Sequence, residues 1–194
     1  YLASNYQALD KNQKALENLT KASILYQEMN DSFFRAQALN NAAFIHINLG
    51  NYDSASPLLE ESITLSIEHQ NNATLLLARY NQGRLYEEKK QYGQSMAYYD
   101  EALVLAAASH DRLRAAMAYR KIGDVLIQQG RFKEALIKYD SALFYGNMTG
   151  SKSSLKETYH SLSEAYESRD DHAMALDYFR KYADMNDSIF SENR

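Results

Sequence analysis

The chain repeats itself every forty residues. Ala15 is followed at that interval by Ala55, Ser95, Ala135 and Ala175, and Tyr6 by His46, Tyr86, Leu126 and Tyr166. Ala43 leads to Gly83, Gly123 and Ser163, and Leu19 to Leu59, Tyr99, Tyr139 and Phe179. Four columns keep register with no insertion; small stays small and large stays large. A fixed period of this length marks a solenoid, in which each unit buries its apolar face only against its neighbours. Function is then to be sought on an extended surface rather than in one catalytic pocket.

The unit is helical. Proline occurs once, at Pro57, and glycine seven times. So few breakers favour helix over strand. Ala115, Ala118, Tyr119, Ile122, Val125 and Leu126 recur at helical spacing, and no segment alternates as a half-buried strand does. Breaks at Gly50-Asn51, Lys90-Gln91, Gly130-Arg131 and Asp170-Asp171 read as turns inside each repeat. A second set at Asn30-Asp31, Gln70-Asn71-Asn72, His110-Asp111 and Asn147 to Ser151 separates repeats. Gly closes a helix in the left-handed conformation, and Asp or Asn caps the next. The expected helices are 11–29, 32–49, 52–69, 73–89, 92–109, 112–129, 132–146, 152–169 and 172–190. Residues 1–8 read as the tail of one more. Pro57 falls in the first turns of its helix, where a missing N–H costs least. The expectation is a single solenoid over 1–194: a partial repeat 1–30, then repeats 31–70, 71–110, 111–150 and 151–190.

Composition removes several function classes. The net charge of −4 and a pI of about 5.7 argue against a general affinity for nucleic acid. No window is basic enough for a polybasic membrane patch. Mean hydropathy is −0.55, and no apolar run approaches a membrane span, so no direct membrane contact is expected. With no cysteine there are no disulfides, thiolate metal sites or Cys nucleophiles. The chain starts at Tyr1 rather than at Met, so its native N-terminus is expected upstream.

The columns resemble the tetratricopeptide repeat. Tyr119 to Gly123, then Leu126, Gly130, Phe132, Ala135, Tyr139 and Ala142 form the fullest unit; Gly83, Tyr86, Tyr92, Ser95, Tyr99 and Ala102 form the one before. The resemblance covers essentially the whole chain. It implies an all-α superhelical solenoid of antiparallel helix pairs, right-handed as in that family. Gly83, Gly123, Ala55 and Ala135 are read as points of close helix approach. Tyr86, Tyr139 and Phe179 fill the space between pairs, with Tyr6, Tyr99 and Tyr166 also in core columns. The usual period is about 34 residues, so each helix here is longer by roughly 4–5 Å. HEAT-type repeats run about 40–47 residues but lack this Gly–aromatic–Ala–aromatic order.

A second resemblance lies at the end of the chain. Ala175 to Tyr182, followed by Asn186 to Glu192, is similar to the last repeat of the tetratricopeptide-bearing sensor histidine kinases and related regulators of Bacteroidetes. It implies that Arg194 is not the natural end; in that group a coiled coil typically follows the repeats, and Asn186 to Arg194 is too short to show its heptads. It also implies that this region senses or scaffolds for a bacterial two-component or transcriptional regulator. Periplasmic placement goes with that reading; the cytoplasm is the alternative.

In this family the first helix of each pair lines the concave groove. Projected onto this register, the implied groove residues are Gln37, Asn40, Phe44, Ile47 and Asn48, then Leu77, Tyr80, Arg84, Glu87 and Glu88. Met117, Arg120, Asp124 and Gln128 follow, and then Glu157, His160, Glu164 and Glu167. Arg84 and Arg120 would hold a carboxylate or an extended peptide backbone. The plainer reading is that Arg84, Arg120, Glu87 and Asp124 pair with one another on a solvated face, where such pairs are worth little. Tyr80 and Tyr98 lie outside the core columns and read as surface tyrosines. Family members that clamp a C-terminal carboxylate use Lys and Asn, then Asn, then Lys and Arg. Here those places hold Asn40 and Phe44, Asn81, and Met117 and Lys121, so that mode is not expected.

The five histidines His46, His69, His110, His160 and His172 show no metal-binding spacing, and His46 sits in a packing column. No nucleophile elbow, phosphate loop or dinucleotide fingerprint occurs. No catalytic residue, metal or cofactor is therefore expected, and the partner is a protein or peptide, with homodimer formation open. Two other readings remain open. One is a freestanding assembly adaptor; the other is the regulatory part of an enzyme whose catalytic domain lies elsewhere.

Overall fold

The computed structural model describes residues 2–192, and side chains from 11 to 191. Among the described residues there are nine helices and no strand. They are α1 (Leu2–Glu28), α2 (Ser32–Asn48), α3 (Tyr52–Glu68), α4 (Asn72–Glu88), α5 (Tyr92–Ala108), α6 (Arg112–Gln128), α7 (Phe132–Thr149), α8 (Lys152–Glu167) and α9 (His172–Glu192). The fold is all-α, of tetratricopeptide type, as the period requires.

The backbone repeats at half the sequence period. Residues 30, 50, 70, 90, 110, 130, 150 and 170 all have positive φ, between 53° and 74°. The next residue donates its N–H to the carbonyl five places back each time: Asp31 to Tyr26, Asn51 to His46, Gln91 to Tyr86, Arg131 to Leu126 and Asp171 to Tyr166 among them. This is the left-handed closure that satisfies carbonyls at a helix end. Only three of the eight residues are glycine; Asn30, Gln70, Lys90, His110 and Asp170 hold the conformation despite their Cβ. The repeat's packing therefore imposes the turn even where the local residue does not favour it. Asp31, Asn71, Asp111, Ser151 and Asp171 each cap the following helix by accepting an N–H three residues on. Asn51 and Arg131, inside their repeats, make no such bond. Capping thus marks the start of each repeat, Asp171 being the exception.

Three expectations about the helices need correction. Residues 1–8 are not a separate helix, because α1 runs unbroken from Leu2. The register places a turn at Asp10-Lys11, but no left-handed residue interrupts the helix there. α7 continues past Gly146 to Thr149, with Gly150 as the left-handed stop. Gly146 instead makes room for α8: a Cβ on it would lie 2.9 Å from Leu155 Cδ2. Pro57 is the sixth residue of α3, so its missing N–H is one the ladder would have used. The side chain of Tyr6 and residue Arg194 lie outside the described residues.

The chain forms two compact units, Tyr1–Glu101 and Ala102–Arg194, the boundary falling within α5. In the first, Ala43, Ile47, Ala55, Leu59, Ile63, Ala78 and Leu85 make one buried cluster. Small residues bring helix backbones together there: Ser62 Oγ donates to the Ala36 carbonyl and Ser95 Oγ to the Gly83 carbonyl, both at 2.8 Å. In the second unit, Val125, Leu126, Leu162 and Ala165 are buried, and Ser163 Oγ donates to the Ala175 carbonyl at 2.9 Å. The glycine column has a second use. A Cβ on Gly83 would lie 2.5 Å from the Tyr99 ring, and one on Gly123 would lie 2.5 Å from the Tyr139 ring. Each glycine is the floor on which a buried tyrosine lies.

Candidate functional site

The projected groove residues stand on α2 and α4 in the first unit and on α6 and α8 in the second. In the first unit three of them meet. The Arg84 guanidinium lies 4.8 Å from the centre of the Phe44 ring, and its Nη2 donates to Asn48 Oδ1 at 2.7 Å. Phe44 and Asn48 are exposed and Arg84 is half-buried. A cation over a ring face is held by the ring quadrupole, and the amide fixes the guanidinium's direction. The result is a donor held between a ring and an amide. The plainer reading of the sequence named neither of these partners for Arg84.

Other projected residues in this unit turn inward. Asn40 is only 3% exposed, and its Oδ1 accepts from Asn81 Nδ2 at 2.9 Å. One amide bond links α4 to α2, and Asn40 Nδ2 donates in turn to Asn41 Oδ1 at 3.4 Å, so the buried amide is partnered on both sides. Ile47 belongs to the apolar cluster. Tyr80, expected at the surface, is 8% exposed, with its ring 5.4 Å from that of Tyr99. Tyr98 is half-buried against Tyr86, the ring centres 5.2 Å apart. Glu87 accepts from the Tyr99 hydroxyl at 2.6 Å, while Glu88 accepts from Tyr52 at 3.2 Å.

In the second unit Asp124 collects donors. Arg120 Nη1 reaches its Oδ2 at 2.9 Å, Lys121 Nζ lies 3.5 Å from the same oxygen, and the Tyr139 hydroxyl donates to Oδ1 at 3.0 Å. Here the plainer reading holds geometrically, since Arg120 and Asp124 form an ion pair. Burial pushes the Tyr139 hydroxyl well above its ordinary range, and the Asp124 charge pushes it further. Tyr99 is raised in the same way, by burial first and then by Glu87. Gln128 is exposed at the end of α6.

α8 and α9 enclose a cleft of about 520 Å³ lined by His160, Glu164, Glu167, His172, Leu176 and Phe179 among others. His160 Nδ1 lies 3.4 Å from Glu164, and His172 Nδ1 lies 3.1 Å from Glu167, which raises the His172 pKa. Phe179, expected in the core, is exposed. His172, Leu176 and the Tyr99 and Tyr139 hydroxyls have no place in the site projected from the repeat register. For the hydroxyls a signal existed: the column of large residues holds Tyr only at Tyr99 and Tyr139, and Tyr can reach a neighbouring carboxylate.

Among the described residues no helix is long and apolar enough to cross a membrane, and no group of three His, Asp or Glu residues stands ready for a metal ion.

The sequence pattern of the tetratricopeptide repeat matches residues 35–69, 73–143 and 156–188, which together make up most of the chain. The chain belongs to the tetratricopeptide repeat family. No curated protein matches it. Solved tetratricopeptide-like structures do. BtubC (BKLC) from P. vanneervenii superposes with a TM-score of 0.74 at 14% identity, over 91% of this chain and 74% of that one. The apo form of RapI superposes with a TM-score of 0.74 at 16% identity, over 92% of this chain and 50% of its own. Aspartyl phosphate phosphatase F from Bacillus subtilis gives 0.72 at 14% identity, over 95% and 58%. At such identities the likeness is one of fold.

Proposed function

We propose that this chain is a non-catalytic scaffold that binds a protein or peptide on the faces of its first helices. The observation that carries the reading is the Arg84 guanidinium, held over Phe44 and aimed by Asn48. A donor fixed before binding loses little freedom on meeting a carboxylate or a backbone carbonyl. Tetratricopeptide membership supports the same reading. His160, Glu164 and Gln128 offer polar partners in the second unit, while Asn40, Tyr80 and Asp124 serve chiefly to hold the helices that present them.

The finer proposal is that the scaffold is the sensor or interaction region of a bacterial two-component or transcriptional regulator, with the periplasm as its compartment. The resemblance of Ala175 to Tyr182 and Asn186 to Glu192 to sensor-kinase repeats supports it. For the sensor part alone, a further support is fold likeness to a signal transduction ATPase with a tetratricopeptide repeat sensor from Pyrococcus horikoshii, at TM-score 0.69 and 17% identity, over 84% of this chain and 26% of that one. Selection of a displayed random peptide library on the chain tests the binding reading. Enriched peptides that bind Arg84→Ala at least about tenfold more weakly support it, a loss of about 1.4 kcal/mol. Enriched peptides indifferent to that change, or no enrichment, contradict it.

A further inference from the structure

The first unit holds a cavity of about 430 Å³ walled by α1, α2 and α3, three helices consecutive in the chain. Ser23, Ile24, Arg35, Ala42, His46 and Leu58 are among its lining residues. The repeat itself shows why space is left there. Ser23 stands where later repeats carry Ile63, Leu103 and Leu143, and Ala42 where they carry Gln82, Ile122 and Leu162. Both positions hold a smaller residue than the rest of their column. Two other lining positions bring nitrogen groups into columns that are otherwise aliphatic or aromatic. Arg35 shares its column with Leu75, Ala115 and Leu155, and His46 with Tyr86, Leu126 and Tyr166. The chain does not use either group fully. Arg35 pairs with Glu61 through Nη2, yet its Nε is buried and has no hydrogen-bond partner. His46 Nδ1 is also buried and without a partner. Buried polar atoms are ordinarily paired, with protein, water or a ligand.

We propose that this cavity binds a slender, uncharged organic molecule with an apolar middle and a hydrogen-bonding group at each end. Its form follows from α2. Arg35, Leu39, Ala42 and His46 fall at i, i+4, i+7 and i+11, so they make one stripe along the helix, and all four line the cavity. The two polar residues are ~16 Å apart along the axis, with Leu39 and Ala42 between them. One end group accepts from Arg35 Nε, and the other meets His46 Nδ1. The lack of charge follows from Glu61, which already neutralises Arg35. An anionic head would face that carboxylate, and a cationic head would face the guanidinium. Sites of this size bury an apolar body and fix it by a few polar groups. The residues differ from those of the Arg84 cluster, so the proposal goes beyond the groove reading and stands apart from it.

The probe is decanediol with a hydroxyl at each end, set against sebacate, the dicarboxylate of the same chain length. Binding to the full chain is read from saturable amide chemical shifts. Decanediol is expected to bind with a Kd below about 1 mM, and sebacate at least about tenfold more weakly. Ala42→Leu gives this position the residue its column carries at Leu162, and by filling the cavity it should weaken the diol at least about tenfold. Should that variant fail to fold, Ser23→Leu closes the cavity from α1 instead, with the residue found at Leu103 and Leu143. His46→Leu, as at Leu126, removes one end's partner and should also weaken the diol. Val104→Ala, at an exposed position of the other unit, should leave its affinity unchanged. Far-ultraviolet circular dichroism confirms that each variant is folded. No saturable diol binding would overturn the proposal and leave the two nitrogens to water. Equal binding of sebacate would overturn it too. So would diol binding indifferent to the cavity-filling change, since that is general attraction to apolar surface.

Discussion

Tyr139 lies on Gly123 so closely that a methyl group at the glycine would stand 2.5 Å from ring carbon Cε1. The ring is fully buried and its hydroxyl is tied to Asp124, so it has no easy way to shift. Gly123→Ala should therefore destabilise the chain by about 1–3 kcal/mol, although alanine is the better helix former. Gly93→Ala is the matched control. Nothing lies within 4 Å of a Cβ there, so helix propensity acts alone and the change should stabilise by up to about 1 kcal/mol. Urea unfolding of both variants reads the two signs, and a stabilised Gly123→Ala would refute the close contact.

Tyr139→Phe removes one donor from Asp124 and leaves Arg120 and Lys121 in place. Hydrogen bonds to a charged group contribute about 1.5–3 kcal/mol, so a loss of that order, with the ring packing kept, is expected. Denaturant midpoints for Tyr139→Phe, and for Tyr99→Phe at the Glu87 contact, measure it.

The same two hydroxyls set the response to alkali. Both are raised in the folded chain by burial and by a neighbouring carboxylate, whereas the unfolded chain ionises them near pH 10. The folded state therefore holds its protons longer. Their contribution is fully present below pH 10 and is lost as the pH rises beyond it, because the unfolded state alone gains the ionised form. A spectroscopic titration of phenolate should show Tyr99 and Tyr139 ionising only as the helical signal is lost. Ionisation of all 16 tyrosines within the folded chain would contradict this.

Lys90 carries a φ of 57° at a helix stop where Gly50 and Gly130 do the same work. Relief of left-handed strain outweighs the entropy that glycine adds to the unfolded chain. Lys90→Gly should raise stability by about 1 kcal/mol, and Gly130→Ala should lower it by about as much. Thermal unfolding decides both.

The period and its breaks made the fold readable. Each turn recurs at a fixed register, and the covalent chain carries that information locally. The site was less readable. A helical projection places a Cα on a face but does not say what lies above it. Asn40 is covered because Asn81, one step off the repeat interval, reaches back to it. Tyr80 is buried because its ring lies against Tyr99. Phe179 belongs to a core column yet is exposed, since a column does not record what packs over each of its members. Lateral contacts of this kind are set by tertiary packing.

The central claim is that the first helices carry the partner, and it is met most directly by mapping amide chemical shifts of the isotope-labelled chain on titration with a library-selected peptide. In the first unit, shifts centred on Phe44, Asn48 and Arg84 of α2 and α4 are the predicted result. Shifts confined to the second helices, around Ile67 of α3 or the exposed face of α1, with α2 and α4 unmoved, would contradict it.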